Sequence, residues 1–138
     1  MEDGGMEIKR GDSVEIIKTI DENDVLEFAK LSNDYNPIHF EDVAAQKQGY
    51  EKKIVHGMLI GSLFSGLIGT ELPGDGSIYV SQELIFCRPI YVGEAIKLVI
   101  TVVGIEESLK YTLSTQCFNS KGKIVVDGQA VVLLRKRG

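Results

Sequence analysis

The sequence predicts an α+β domain in which an antiparallel sheet curls around one long central helix. Three observations lead there. Residues 57–70, GMLIGSLFSGLIGT, carry no charged side chain. The run is shorter than the roughly 20 residues a bilayer requires, so it reads as a helix buried in protein. From Ser77 onward the apolar residues alternate, which is the period of a half-buried strand. One more strand-like segment precedes the helix, and a sheet curled around the helix covers the apolar faces of both.

The elements follow in order. SVEIIKTI (13–20) is rich in β-branched residues and comes directly after Gly11-Asp12, which makes it the first strand. DENDVLEFAKLS (21–32) is acidic at its start, with Val25, Leu26, Phe28 and Ala29 as its apolar residues. That is a short helix with negative charge at its positive end. EDVAAQKQ (41–48) reads as another one or two helical turns, and Pro73-Gly74 stops the long helix. Within that helix Gly57, Gly61, Ser65 and Gly69 recur at every fourth position, a small-residue ridge that lets a sheet approach closely.

Ile78, Val80, Leu84 and Phe86 share one parity of the second strand, and Ile96, Leu98, Ile100 and Val102 share one parity of the third. LKYTLSTQCF (109–118) and KIVVDGQAVVLLRK (123–136) continue the pattern, with turn signals at Arg88-Pro89, Ser108 and residues 119–122.

At 138 residues the chain is expected to form one domain over residues 1–138, with residues 1–6 a loose tail. Fifteen basic against twenty acidic side chains give a net charge of −5, a surface that repels nucleic acid and anionic membrane. The start, MEDGGMEIKRGD, is acidic without a long apolar run, which is not the pattern of a secretory signal. Cys87 and Cys117 lie in apolar strand-like segments and read as buried thiols in a reducing compartment, with cytoplasm the expectation.

Function points to SNDYNPIHF (32–40). The chain has two histidines, and one of them, His39, follows Asp34 across Asn36-Pro37. On a helix, five residues would turn the two side chains about 140° apart. Pro37 forbids that: it fixes its own φ and drives Asn36 extended, leaving a bent loop in which both groups can converge. Asn36 can brace such a loop by bonding to its backbone. A carboxylate and an imidazole converging on one water form an acid–base pair at neutral pH, whereas in isolation the same residues would serve only as caps.

VHGML opens the apolar helix, whose free N–H groups and dipole can hold an oxyanion. Gly57 there has no side chain to obstruct a ligand. GSLFSG lacks the Lys-Ser/Thr of a phosphate loop and the spacing of a nucleophile elbow. Gly74-x-Gly76 is a turn, and two histidines with two strand cysteines at these spacings form no zinc site, so no metal is expected.

DYNPIH, VHGMLIGSLFSGLIG and LPGDGSIYVSQELIFCRPIYVGEAIKL together resemble the MaoC-like, or hydratase 2, family, most nearly its bacterial (R)-specific enoyl-CoA hydratases. The resemblance spans about residues 6–135. It implies a hot-dog fold and reversible hydration of trans-2-enoyl-CoA, with Asp34 and His39 holding the water and the Gly57 N–H on the thioester oxygen. It further implies that Ser65 supports the aspartate, although Ser65 also fits the ridge as a small residue.

Asp34 is expected as base and His39 as water-positioning proton donor. Asn36 braces the loop, and His56 has mainly a structural role at the helix start. Lys52, Lys53 and Arg88 either meet coenzyme A phosphates or are solvated surface charge. Leu67 and Ile68 are expected in the wall of an apolar acyl pocket. No cofactor is implied beyond the coenzyme A of an acyl-CoA substrate, and a homodimer is expected.

The alternatives are a hot-dog acyl-CoA thioesterase and a noncatalytic acyl-CoA-binding module. The first usually needs a carboxylate on or near the central helix, which residues 57–70 lack. The second needs no acid–base pair.

Overall fold

The computed structural model of the protein describes residues 7–107 and 109–135. The expected loose tail at residues 1–6 and the expected turn at Ser108 lie outside the described residues. Among those described, the order is β1 (Ser13–Thr19), α1 (Glu22–Ser32), a 3-10 turn (Pro37–His39), α2 (Asp42–Lys47), α3 (Gly57–Thr70), β2 (Ser77–Phe86), β3 (Ala95–Glu106), β4 (Lys110–Phe118) and β5 (Ile124–Leu134). The five strands form one antiparallel sheet in the order β1-β3-β4-β5-β2, and α3 packs against it. This is the hot-dog arrangement.

The alternation of β3 places Ile96, Leu98, Ile100 and Val102 in the core, all essentially inaccessible. In β4 the buried set is Tyr111, Leu113, Thr115 and Cys117. These faces meet Ile60, Phe64 and Ile68 of α3 in one apolar cluster. Phe64 is 0 % exposed, and its truncation to alanine would cost about 3–5 kcal/mol.

Two expectations about packing need correction. In β2 the register shifts between Tyr79 and Ser81, so one parity does not run from Ile78 to Phe86. Leu84 packs on the core while Ile78, Val80 and Phe86 are exposed. A one-residue bulge reverses the faces that follow it, which sets Leu84 apart from Ile78 and Val80. Phe86 shares the face of Leu84 and is exposed where it lines a cavity at the end of β2. The small-residue ridge also works over only half its length. A methyl group at Gly57 or Gly61 would meet Phe86 or Leu84 of β2 at 2.8 Å, but one at Gly69 would meet nothing within 4 Å. Ser65 is exposed.

Candidate active site

The loop between α1 and the 3-10 turn is built by side chains capping backbone groups nearby. Asp21 and Asp24 form a reciprocal capping box that starts α1, and Asn33 ends it in a left-handed conformation at φ 63°. The chain leaves the helix there, immediately before Asp34. The Asp34 N–H donates to Ser32 Oγ at 3.2 Å, and Asp34 Oδ1 accepts from the Asn36 N–H at 3.2 Å. Asn36 Oδ1 in turn accepts from the Ile38 N–H at 3.3 Å, so Asn36 caps the 3-10 turn that Pro37 begins. The brace expected of Asn36 is present. This turn carries His39 inward, to 7 % exposure, while Asp34 stays exposed at the rim.

Inside, His39 Nδ1 lies 2.7 Å from the carbonyl oxygen of Ile54. A carbonyl only accepts, so Nδ1 carries the hydrogen and Nε2 of the neutral ring is left as an acceptor. Burial pushes the His39 pKa below its ordinary 6.5, and neighbouring His56 pushes the same way. The Ile54 bond and the Asp34 carboxylate pull in the opposite direction without reversing the shift. The resting imidazole is therefore neutral at pH 7.

The structure adds a third member that sequence spacing underweighted. His56 is 2 % exposed and does not cap α3 with its side chain. Its Nε2 is instead 2.9 Å from the backbone oxygen of Asp34, and its ring stacks on that of His39 at 3.7 Å between centroids and 26° between planes. Twenty-two residues separate Asp34 from His56, so only the fold brings them together. The available signal was the count: both of the chain's histidines flank glycine- or proline-marked segments read as functional.

Asp34, His39 and His56 each present a ligand-type atom within 4.8 Å of the other two. The spacing in sequence concealed this grouping in space. Carboxylate and imidazole at such separations are bridged well by one water, with two hydrogen bonds of about 2.7–2.9 Å. They suit a metal less well. Stacked, nearly parallel rings direct their in-plane lone pairs side by side, and an ion about 2 Å from both nitrogens would sit far out of at least one ring plane.

A cavity of 440 Å³ opens here, lined by Asp34, His39, His56 and Gly57 and walled by apolar residues that include Ile60 and Val126. Gly57 is the first residue of α3, so its N–H is among the free donors of that helix start.

Several expectations change at this cavity. Cys87 is exposed and lines it, just beyond the end of β2 at Phe86, unlike the buried Cys117. Burial lifts the Cys117 thiol to about 12. Leu67 and Ile68 belong to the core rather than the cavity wall, since they face the sheet from the far half of α3. Ser65 does not line the cavity, and among the described residues it shows no bond to Asp34. It stands about 12 Å along the axis from Gly57, at ~1.5 Å per residue. Of the three cations, Arg88 lines the cavity, with a guanidinium nitrogen held at 2.6 Å by the Ile124 carbonyl. Lys53 pairs with Glu22, and Lys52 lies 6.0 Å from the centre of the Tyr91 ring.

Comparison with known proteins agrees with this geometry. The chain is 41 % identical over 133 residues to the (R)-specific enoyl-CoA hydratase of Rhodospirillum rubrum, covering 96 % of this chain and 92 % of that protein. It is 37 % identical to the mitochondrial 3-hydroxyacyl-[acyl-carrier-protein] dehydratase of Arabidopsis thaliana, over 92 % of this chain and 78 % of that one. The solved (R)-hydratase from A. caviae, described as involved in PHA biosynthesis, superposes with a TM-score of 0.90 at 39 % identity, over 95 % of this chain and 100 % of that one. The family model described as MaoC like domain matches residues 5–118. By that match over most of its length, and by its identity to these relatives, the chain belongs to the MaoC-like family.

Proposed function

We propose that the protein is an (R)-specific enoyl-CoA hydratase, adding water reversibly across the C2–C3 double bond of a trans-2-enoyl thioester. The observation that carries this reading is the convergence of Asp34 and His39, with ligand-type atoms within 4.8 Å of one another, in a cavity that also contains the start of α3 at Gly57. Conjugate addition places negative charge on the thioester oxygen, and a helix-start N–H is a preorganised donor for it. Acid, base and donor all come from the chain, so the reaction requires no cofactor or metal. The hydratases from R. rubrum and A. caviae support the (R) sense of addition.

The tautomer of His39 favours the reverse of the expected division of labour, with His39 rather than Asp34 as the base. A neutral His39 cannot donate from Nε2 until it has first accepted a proton. In our mechanism Asp34 takes a hydrogen bond from one hydrogen of the water, and His39 Nε2 removes the other as oxygen bonds to C3. The C2–C3 π electrons move to the thioester oxygen, held by the Gly57 N–H. The imidazolium, steadied by the Asp34 carboxylate, then returns that proton to C2. Water is consumed whole and both side chains end as they began.

The Arabidopsis relative supports a second carrier for the same chemistry, an acyl-carrier-protein thioester. The test is loss of the conjugated-thioester absorbance with crotonyl-CoA, with chiral analysis of the product and a parallel assay for released thiol. Asp34→Asn and His39→Gln should each lower kcat by about 10²-fold or more. The double variant should be little worse, because groups acting on one water are non-additive. Thiol release without hydration would favour the thioesterase, and neither activity would favour a binding module.

A homodimer belongs to the same proposal. β2 is an edge strand, paired on one side by β5, and it exposes Tyr79, Val80, Ile85 and Phe86. Pairing two β2 edges would cover this apolar strip beside the cavity that Phe86 lines. No helix among the described residues is long and apolar enough to cross a membrane. We assign the protein to the cytoplasm, supported by its two free thiols.

A further inference from the structure

We propose that His56 is a positioning residue for this reaction, setting both members of the Asp34–His39 pair at once. The inference rests on the hydratase reading and extends it to a side chain that touches neither water nor substrate in that mechanism. Two side-chain contacts and one chain connection carry it. The His56 Nε2–H donates to the backbone oxygen of Asp34 at 2.9 Å, which pins the rim loop at the residue that bears the carboxylate. Its ring forms the face on which the His39 imidazole rests, at 3.7 Å and 26°. Its own backbone leads directly into Gly57, whose N–H is the donor to the thioester oxygen. One side chain thereby ties the carboxylate, the imidazole and the oxyanion donor into a rigid unit.

The bonding of His56 itself argues that the ring is kept for this purpose. Because Nε2 donates to a carbonyl, Nδ1 is left as a bare acceptor, and it is buried with no partner among the described residues. An orphaned buried acceptor is unfavourable, and a residue kept only for packing would avoid it as phenylalanine or leucine. Phe28 and Phe40 already surround the ring, at 5.0 and 6.4 Å between centroids, so an apolar side chain would be at home there. What an apolar side chain would not supply is the bond to Asp34.

The test uses His56→Phe and His56→Gln, with Asp34→Asn in parallel. Phenylalanine retains a stacking ring and loses the donor. Glutamine places an amide N–H the same number of bonds from the backbone as Nε2 and loses the ring. For His56→Phe, kcat for crotonyl-CoA should fall by about 10²-fold with KM nearly unchanged, the scale of an ångström-level misplacement of catalytic groups. His56→Gln should recover most of that loss at neutral pH.

In His56→Gln the acid limb of kcat/KM should move to higher pH, because the stacked ring that keeps water from His39 is gone. The groups that remain around His39 are Asp34 and the Ile54 carbonyl, with Glu22 and Lys53 lining the adjoining surface pocket. A folded His56→Phe enzyme with wild-type kcat overturns the proposal. So does a His56→Gln enzyme whose acid limb stays where the wild type has it, which decides the matter even where His56→Phe fails to fold. If Asp34→Asn retains wild-type turnover, the hydratase reading falls first. If Asp34→Asn is inactive and both His56 variants behave as wild type, only the role of His56 is refuted.

Discussion

Replacing Gly57 with alanine adds one methyl group at the N–H that the proposed mechanism uses as its oxyanion donor. That methyl carbon would lie 2.8, 3.0 and 3.1 Å from three ring atoms of Phe86. Carbon–carbon contacts are optimal at about 3.5–4.0 Å, so ring and helix start must separate by roughly 0.7 Å. Phe86 is 49 % exposed, which lets its ring swing outward. Stability should therefore change little: overpacking costs about 1–3 kcal/mol, and replacing a helical glycine returns up to about 1 kcal/mol.

Catalysis has no such slack. The donor must sit about 2.7–3.1 Å from the developing oxyanion, and losing one such donor costs about 10²–10³-fold in kcat. With the Phe86 ring swung aside, the methyl group itself stands beside the N–H and holds the thioester oxygen off, which should reach the lower end, about 10²-fold or ~2.7 kcal/mol of barrier. The assay is crotonyl-CoA hydration by absorbance, beside a thermal melt of the same sample. A folded Gly57→Ala enzyme with kcat within about threefold of wild type would refute the assignment of Gly57 as donor, since the general-base step alone does not explain immunity to that obstruction.

Acid should weaken the fold through His39. Its folded pKa lies below 6.5, so as pH drops through 6.5 the unfolded chain binds a proton the folded one refuses, and stability falls until the folded pKa is reached. Urea unfolding between pH 5 and 7 should show this slope in wild type and a shallower one in His39→Gln; equal slopes would contradict it. Gly128→Ala should destabilise by about 3 kcal/mol or more, because its methyl would overlap the Glu83 carbonyl oxygen and lie 2.8 Å from Thr115 Oγ1, with strand pairing preventing retreat. Circular dichroism melts check this, and an unchanged Tm would refute it. The double variant Val80→Lys with Ile85→Lys should sediment as monomer if two β2 edges pair, whereas an unchanged dimer places the interface elsewhere.

By itself the sequence determined the elements and the pair at the centre of the proposed chemistry. The charge-free run at 57–70 could only be a buried helix, and the alternation in residues 96–102 could only be a strand with one covered face, because period and charge are local properties. Asn36-Pro37 likewise reported its own bend, and with it the convergence of Asp34 and His39. What the tertiary structure decided are relations between distant positions. The bulge at Val80 shows only in the register against β5, and it sends half of the β2 alternation to the surface. Cys87, Leu67 and Ile68 exchange their expected places because the cavity opens at the start of α3 rather than along it. His56 joins the site through a carbonyl 22 residues back and a ring 17 residues back, so no local pattern around it could announce either contact. Local physics is written in neighbouring residues, while a stack, a register or a cavity wall exists only once the chain has closed on itself.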